Sequence, residues 1–327
     1  MRRTFPLLLT AAALLAAGLT ACGDSGDSAG KGGGPSGSGG GTRSVTIGAI
    51  AIVDTAPVYL AQSQGFFKKH GIDAKITSVQ GGAASITGVM GGQFAFGFAN
   101  TTSLLTAQQQ GLPLKVVANG VASTGERDTD YSAVLVQAGS PVTSAKDLAG
   151  RTVAVNQLKN IGDTTVRAAV RKDGGDASKV EFVEIPFPDM PAALAKGRVD
   201  AIWEVEPFVT QAAGQGARAV AWPYADAAPG LTVAMYFTTQ QTLRKDPGLV
   251  KDFTAAMNEA LAYADAHPDA VRETLKTYTQ IPAEAIAKIK LPKWPTEINR
   301  ASVQTVADDA RQDGTLTKDA DLSALLP

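Results

Sequence analysis

The sequence predicts an α/β fold of two lobes that are joined by a two-strand hinge, with a helical tail packed on the first lobe. Short apolar segments alternate with amphipathic segments in the first third of the chain, which is typical of a parallel sheet covered by helices. The same alternation starts again near residue 131. After residue 239 only helical segments follow, and these need a sheet to pack on.

The first lobe begins with the β-branched segment 44–52, which predicts a buried strand. The next segment, 56–71, has apolar residues at helical spacing and a closing glycine, so it predicts one helix. Alternation continues to residue 119. The further strands predicted here are 73–79, 93–99 and 113–119, and the further helices are 81–92 and 101–111.

The second lobe repeats this plan. Segments 88–98 and 193–203 both contain a helix end, a glycine, a polar residue and an apolar strand, so Gly92 corresponds to Gly197 and Phe98 to Trp203. The strands predicted in this lobe are 131–137, 151–155, 179–185, 198–205 and 217–222, and its main helices are 162–175, 189–197 and 207–216.

A last strand at 231–239 precedes the tail, whose first long helix has Asp246 as its cap and Pro247 in its first turn. The chain is expected to cross between the lobes near 128–134 and again near 228–236. These crossings divide it into a first lobe of 45–130 plus 234–327 and a second lobe of 131–233.

The first 44 residues predict a targeting segment and a linker. Residues 1–21 have a basic start, an apolar centre and small residues at the end, as a secretory signal peptide does. The order Leu-Thr-Ala-Cys at the end of this segment resembles a bacterial lipobox, which implies cleavage before Cys22 and its lipidation. A plain signal peptide that contains a cysteine is the alternative. Residues 22–44 are rich in Gly and Ser and predict a flexible linker.

Composition excludes several classes of protein. Without Arg2 and Arg3 the chain has 28 basic and 31 acidic residues, a net charge of −3, which does not suit a nucleic-acid binder. The two histidines, His70 and His267, are far apart, and Cys22 is the single cysteine, so we expect no metal site, no cofactor and no intramolecular disulfide. We also find no nucleophile elbow, zinc-protease motif or phosphate loop, and therefore expect no catalysis.

Three segments carry a resemblance to a known family: APVYLAQSQGFFKKHGIDAKI, GVMGGQFAFGFANTTSLL and ALAKGRVDAIWEVEPF. In this order they resemble type II periplasmic binding proteins of the nitrate, sulfonate, taurine and thiamine-precursor group, in lipoprotein form. The resemblance covers nearly all of 45–325. It implies a monomer on the extracytoplasmic face of the cell membrane, anchored through the lipid on Cys22, that delivers a small molecule to an ABC permease and its ATPase.

Candidate binding residues follow the predicted strands, because ligands of open α/β sheets bind beyond the carboxyl ends of the strands. Several of these ends also start helices, whose unpaired N–H groups attract polar groups. The residues that we expect at the site are Asp54, Thr55, Gly82, Ala83, Asn100, Thr101, Tyr131, Asn156, Asp163, Thr164, Trp203 and Glu206.

Each of these polar residues also has a purely structural interpretation. A hydroxyl or asparagine at a helix start acts as an N-cap in many proteins. Trp203 either stacks on a flat ligand or packs in the core of its lobe. Glu206 either accepts hydrogen bonds from a ligand or caps the helix that starts at Pro207.

The sequence leaves two classes of ligand open. The family favours an anion such as nitrate, a sulfonate or taurine, whereas the acidic residues Asp54, Asp163, Glu204 and Glu206 favour a pyrimidine or thiamine-precursor ring. A surface lipoprotein that senses a ligand without importing it is an alternative function. An enzyme related to thiamine-pyrimidine synthases is a weaker one, because this chain lacks their cysteine-rich motif.

Overall fold

Two five-stranded sheets, each covered by helices, make up the computed structural model, which describes residues 41–327. The predicted class of two α/β lobes is confirmed. The predicted signal peptide, Cys22 and the linker up to residue 40 lie outside the described residues. The first strand starts at Arg43, one residue before the predicted strand and inside the predicted linker, and the amide of Arg43 donates to the carbonyl of Gly71 at 2.9 Å.

The strands are β1 (Arg43–Ala49), β2 (Ile72–Ser78), β3 (Phe96–Asn100), β4 (Leu114–Ala122), β5 (Ser132–Gln137), β6 (Thr152–Val155), β7 (Glu181–Glu184), β8 (Ala201–Val205), β9 (Ala217–Ala221) and β10 (Thr232–Thr239). The helices of the first two thirds are α1 (Ala56–Ser63), α2 (Phe66–Lys69), α3 (Gly82–Met90), α4 (Thr101–Gln109), α5 (Ile161–Lys172), α6 (Met190–Ala195), α7 (Phe208–Gly214) and α8 (Pro223–Ala227). The tail contains α9 (Gln240–Lys245), α10 (Pro247–Ala266), α11 (Pro268–Tyr278), α12 (Ala283–Ile286), α13 (Arg300–Gln312) and α14 (Leu322–Leu325).

The first lobe is built on a sheet with the order β2-β1-β3-β10-β4, and the second on a sheet with the order β7-β6-β8-β5-β9. Both sheets are mixed, and not parallel as the sequence suggested. β10 runs antiparallel to β3 and β4, and β5 runs antiparallel to β8 and β9. The reason is that each of these two strands arrives from the other lobe. It therefore starts beside the carboxyl end of the neighbouring strand and runs back along it. Ala234, near the start of β10, pairs with Asn100 at the end of β3, and Ser132 at the start of β5 pairs with Val205 at the end of β8.

Two chain segments, 123–131 and 222–231, cross between the sheets. In the first, the buried carboxylate of Asp130 accepts hydrogen bonds from the Ser123 hydroxyl at 2.6 Å and from the amides of Thr124 and Tyr131 at 3.1 Å. The guanidinium of Arg127 pairs with Asp226 of the second segment at 2.8 Å. The two crossings are thus tied to each other.

The helix predicted for 56–71 is broken. α1 ends at Ser63 and α2 starts at Phe66, with Gly65 between them at φ 78°. A residue in this left-handed conformation interrupts the helical hydrogen bonds, and glycine adopts it without steric cost. The repeated glycines of the two lobes, Gly92 and Gly197, also have positive φ, at 73° and 66°.

The tail packs on the first lobe as expected. α10 buries a stripe that includes Val250, Phe253 and Met257, and the Phe253 ring stacks on Phe96 of β3 with centroids 3.7 Å apart. Asp246 caps this helix by accepting from the amide of Leu249 at 2.8 Å. α13 lies between the lobes and also contacts α5 of the second lobe, a contact that the sequence did not predict.

Candidate functional site

A small cavity lies between the two sheets, where strands of both lobes end. Its volume is about 20 Å³, which is room for about one water molecule. Both lobes contribute to it. Its lining residues are Ile50, Ile52, Asp54, Phe98, Asn100, Asn156, Ile161, Phe187, Trp203, Val205, Tyr224, Val233 and Ala234.

The aromatic walls of the cavity come from corresponding positions of the two lobes. Phe98 of β3 and Trp203 of β8, which the internal similarity had paired, both line it. Trp203 is held in place by Phe187 and Tyr224, with ring centroids 5.6 and 5.8 Å away. Gly162 of α5 also packs on its indole, since a Cβ at this position would lie 2.6 Å from the ring. The indole N–H of Trp203 has no hydrogen-bond partner among the described residues.

Asp54 is the acidic residue of the cavity wall, and its side chain is held by the second lobe. The Tyr131 hydroxyl donates to Oδ1 at 3.3 Å, while Oδ2 has no partner among residues 41–327. The backbone carbonyl of Asp54 accepts from the Trp294 indole at 3.2 Å. Asp54 is only 2% exposed, and burial raises the pKa of its carboxyl to about 7, with a smaller contribution from Asp130.

Helices start at all four of the strand ends that the sequence singled out. α1, α3 and α4 start there in the first lobe, and α5 starts there in the second. Two direct contacts join these helix starts across the lobes: the Ser103 hydroxyl donates to Oδ1 of Asn160 at 3.1 Å, and the Ala83 amide donates to Oε1 of Gln157 at 3.2 Å. The lobes therefore touch next to the cavity, through the starts of α3 and α4 on one side and the segment that leads into α5 on the other.

Four of the predicted site residues line the cavity, namely Asp54, Asn100, Asn156 and Trp203, and Tyr131 joins them through Asp54. Asn100 also caps α4, because its Oδ1 accepts from the Ser103 amide at 2.9 Å. Asn100 therefore acts as the N-cap of α4 through Oδ1, and its role in binding stays a prediction.

The other predicted residues surround the cavity without lining it. Thr55 and Thr101 donate to backbone carbonyls, at 2.6 Å to Ile50 and at 2.8 Å to Thr232. Thr164 donates to the carbonyl of Asn160, and Asp163 caps α5 by accepting from the amides of Lys159 and Asn160. Gly82 packs against Ser103, and Ala83 makes the contact to Gln157 described above.

Glu206 has its carboxylate engaged by protein groups. One oxygen accepts from the Thr210 amide at 3.1 Å, and the other accepts from the Thr210 hydroxyl at 2.8 Å and from the Lys290 amide at 3.2 Å. Glu206 therefore caps α7, as its structural interpretation predicts. Burial raises its pKa to about 7, and the hydrogen bonds from Thr210 and Lys290 counter that rise.

Sequence reasoning missed much of the apolar wall. Phe187 follows β7 in a short turn, Tyr224 belongs to the second crossing segment, and Ile161 is the first residue of α5. We had assigned these positions no role, because their segments carry no pattern that marks a site. The correspondence of Phe98 with Trp203 was the one signal in the sequence for an aromatic wall.

Asp54 is the one carboxylic acid among the described residues that line the cavity, and no basic residue accompanies it there. None of the thirteen lining residues, all within the described part of the chain, is Lys, Arg or His. Residues 41–327 also contain no group of three side chains placed to hold a metal ion. In the same part of the chain, no helix is both long and apolar enough to cross a membrane.

Comparison with known proteins identifies relatives over most of the chain. The riboflavin-binding protein RibY of Chloroflexus aurantiacus is 28% identical over an alignment of 232 residues that covers 66% of this chain and 60% of RibY. The nitrate/nitrite binding protein NrtA of Synechococcus elongatus is 27% identical over an alignment of 237 residues that covers 63% of this chain and 54% of NrtA. The matches thus span less than two thirds of either relative.

A similar fold is found in the alkanesulfonate-binding protein SsuA from Xanthomonas axonopodis pv. citri, whose structure was solved with MOPS bound. Its TM-score is 0.75 at 18% identity, over 88% of this chain and 99% of SsuA. All three relatives are binding proteins by name, in agreement with the prediction that this chain is not an enzyme.

The profile of one protein family matches residues 52–271, which is about two thirds of the chain, and its description is NMT1/THI5 like. The match includes every residue that lines the cavity except Ile50. The chain therefore belongs to the NMT1/THI5-like family, and it has the fold of periplasmic solute-binding proteins.

Proposed function

We propose that this protein captures a small solute between its two lobes, on the extracytoplasmic face of the membrane, and delivers it to an ABC permease and its ATPase. The observation that carries the proposal is the cavity between the sheets, where two lobes of one plan contribute aromatic walls and unpaired polar atoms. Family membership supports it, since relatives of this chain are named for binding riboflavin and nitrate.

Capture requires that the lobes move apart and close again about the two crossing segments. A cavity of about 20 Å³ does not hold a solute as large as riboflavin or an alkanesulfonate. Entry therefore breaks the contacts from Ser103 to Asn160 and from Ala83 to Gln157. We propose 45–130 plus 234–327 and 131–233 as the two moving lobes, joined by a two-strand hinge.

We further propose that lipidated Cys22 anchors the protein and that the residues between Cys22 and β1 act as a spacer. A flexible linker of this length spans roughly 25 Å, which lets the lobes reorient above the membrane. Mass spectrometry of the protein from membranes tests the anchor. A mature amino terminus at Cys22 that carries acyl chains supports it, and a cleaved, unmodified Cys22 contradicts it.

Thermal unfolding in the presence of candidate solutes tests capture. The protein would begin at residue 22, carry Cys22→Ser and be heated with taurine, alkanesulfonates, nitrate, bicarbonate, hydroxymethylpyrimidine, thiamine or riboflavin. A solute at about 100 times its Kd adds about 2.7 kcal/mol to the free energy of unfolding. This corresponds to a rise in Tm of about 5–10 °C for a domain near this size. Unchanged Tm with every compound at millimolar concentration contradicts the proposal.

A further inference from the structure

The free carboxylate oxygen of Asp54 is the feature of the cavity that most restricts a ligand. Asp54 is 2% exposed and lines the cavity, and its Oδ2 has no partner among the described residues. A buried carboxylate oxygen without a donor costs free energy that a ligand N–H recovers. The cavity is thus complementary to a ligand that presents a hydrogen-bond donor at this point.

The remaining wall determines the shape of such a ligand. Phe98, Phe187, Trp203 and Tyr224 contribute rings from both lobes, which suits a flat apolar body that packs against aromatic faces. The unpaired indole N–H of Trp203 adds a donor, and a ligand satisfies it with an acceptor atom. A flat ring with both an N–H donor and an acceptor combines these properties.

The charges near Asp54 disfavour an anion. The titratable groups near enough to interact with its charge are Tyr131, which donates to Oδ1, Asp130, Tyr224, Tyr236 and Tyr278, and none of them is a cation. No Lys or Arg is among the residues that line the cavity. An anion placed there would lie next to a carboxylate in a poorly solvated site, with no cation between them.

On the basis of the function proposed above, we propose that Asp54 determines ligand specificity: it selects a flat heteroaromatic ring that donates an N–H to Oδ2, and it rejects small anions. Tyr131 is the positioning residue, because its hydroxyl fixes the other oxygen of the same carboxylate. The chain would therefore differ in ligand class from nitrate and sulfonate binders of the same fold.

The pH dependence of binding follows with a defined sign. Burial raises the pKa of Asp54 to about 7, so the carboxyl loses its proton as the pH rises from about 6 to about 8. A ring that donates to the ionised form binds more tightly over this range, because it pairs with the charge. An anion binds less tightly over the same range, because ionisation removes the proton that could bridge the two groups.

The test measures the affinities of rings and anions for the protein that begins at residue 22 and carries Cys22→Ser. The rings are hydroxymethylpyrimidine, the same ring with hydrogen in place of its amino group, thiamine and riboflavin. The anions are nitrate, methanesulfonate and taurine. We expect at least one N–H-bearing ring to bind, at least about tenfold loss of affinity in Asp54→Asn, and weaker binding of the ring without its amino group.

Glu204→Gln is the matched control, because Glu204 is a fully buried carboxyl that does not line the cavity. We expect it to leave ring affinity within about twofold. If Asp54→Asn does not fold, the ring affinity of the unaltered protein is measured at a series of pH values instead. These affinities, corrected for the titration of the free ring, test the role of Asp54. Affinity that rises between about pH 6 and about pH 8 supports the proposal, and affinity that falls or stays constant overturns it.

Failure of this inference is distinguishable from failure of the proposed function. Binding of an anion with no binding of any ring overturns the role of Asp54 and leaves solute capture intact. Binding of a ring with equal affinity in Asp54→Asn also overturns it. No binding of any compound contradicts both.

Discussion

The carboxyl group of Glu204 is buried next to a second carboxyl group. Glu204 is 0% exposed, and within residues 41–327 neither of its oxygens has a hydrogen-bond partner. Burial raises its pKa well above 4.5, and the nearby Glu206 adds to the rise. The folded state therefore holds the proton more tightly than the unfolded state, and stability is lost as the pH rises above the unfolded pKa.

We predict that Glu204→Gln stabilises the protein by about 1–3 kcal/mol near pH 8, because the amide removes a buried ionisable group and keeps its size. The gain should shrink as the pH falls toward the unfolded pKa, because the glutamate is then protonated in the unfolded state as well as in the folded state. Urea unfolding at a series of pH values measures this difference. Glu181→Gln, at an exposed position of β7, serves as the control and should change little.

Single residues also show how far the sequence predicts the site. Asp54 and Asn156 follow strands directly, so the rule that ligands bind beyond strand ends was enough to find them. Phe187 and Tyr224 were missed because they lie in a short turn and in a crossing segment and reach Trp203 only through packing between segments distant in sequence, which leaves no local pattern. Thr55 and Thr101 were assigned to the site because hydroxyls at helix starts look alike in a sequence, whether they bind a ligand or the backbone.

The packing of α5 on β8 depends on a glycine. A Cβ at Gly162 would lie 2.6–3.0 Å from three ring carbons of Trp203, whose side chain is fully buried. We predict that Gly162→Ala lowers the free energy of unfolding by about 1–3 kcal/mol, because the indole has no room to move and the overlap outweighs the gain in helix propensity.

Gly214 provides a matched control for this substitution. It lies in α7, has no atom within 4 Å of its ideal Cβ position and does not need a positive φ. Gly214→Ala should therefore be neutral or stabilising by up to about 1 kcal/mol. Guanidinium unfolding of both variants makes the comparison, and equal stability of the two would contradict the packing argument.

At the level of elements, the strands of the described residues and their order along the chain could be predicted, as could the longer helices, because apolar periodicity marks them. The direction of β5 and β10 could not. A strand has the same apolar pattern whether it runs parallel or antiparallel to its neighbours. Its direction depends on whether the chain enters the sheet beside the amino or the carboxyl ends of the neighbouring strands. The break at Gly65 was missed because the flanking residues keep helical spacing.

The two lobes are joined outside the cavity by an ion-pair cluster. Arg171 of α5, in the second lobe, pairs with Asp309 of α13 at 2.8 Å and with Asp313 just beyond that helix. The guanidinium is 23% exposed, and the carboxylates are 20% and 7% exposed. Burial raises the pKa of both aspartates, and Arg171 counters this rise, so the arginine stabilises the charged form of both acids.

We predict that Arg171→Met shifts the protein toward a more open arrangement of the lobes. Without the guanidinium, Asp309 and Asp313 become two partly buried carboxyls with no ion-pair partner, although the more distant Arg167 still acts on Asp313. Opening rehydrates them at a gain of about 1–2 kcal/mol after allowance for their exposure. Fluorescence energy transfer between dyes on Ala84→Cys and Leu158→Cys, in the Cys22→Ser background, reports the distance across the cavity. Both positions are exposed, one in each lobe.

Arg151→Met is the control for this experiment, because Arg151 pairs with Asp200 at 3.9 Å within the second lobe alone. It removes one guanidinium and one ion pair but no contact between the lobes, so the distance should not change. In Arg171→Met the mean distance should increase and solute affinity should fall several-fold, since closure then costs more free energy. The same distance in both variants would mean that the crossing segments and the cavity contacts alone set the angle between the lobes.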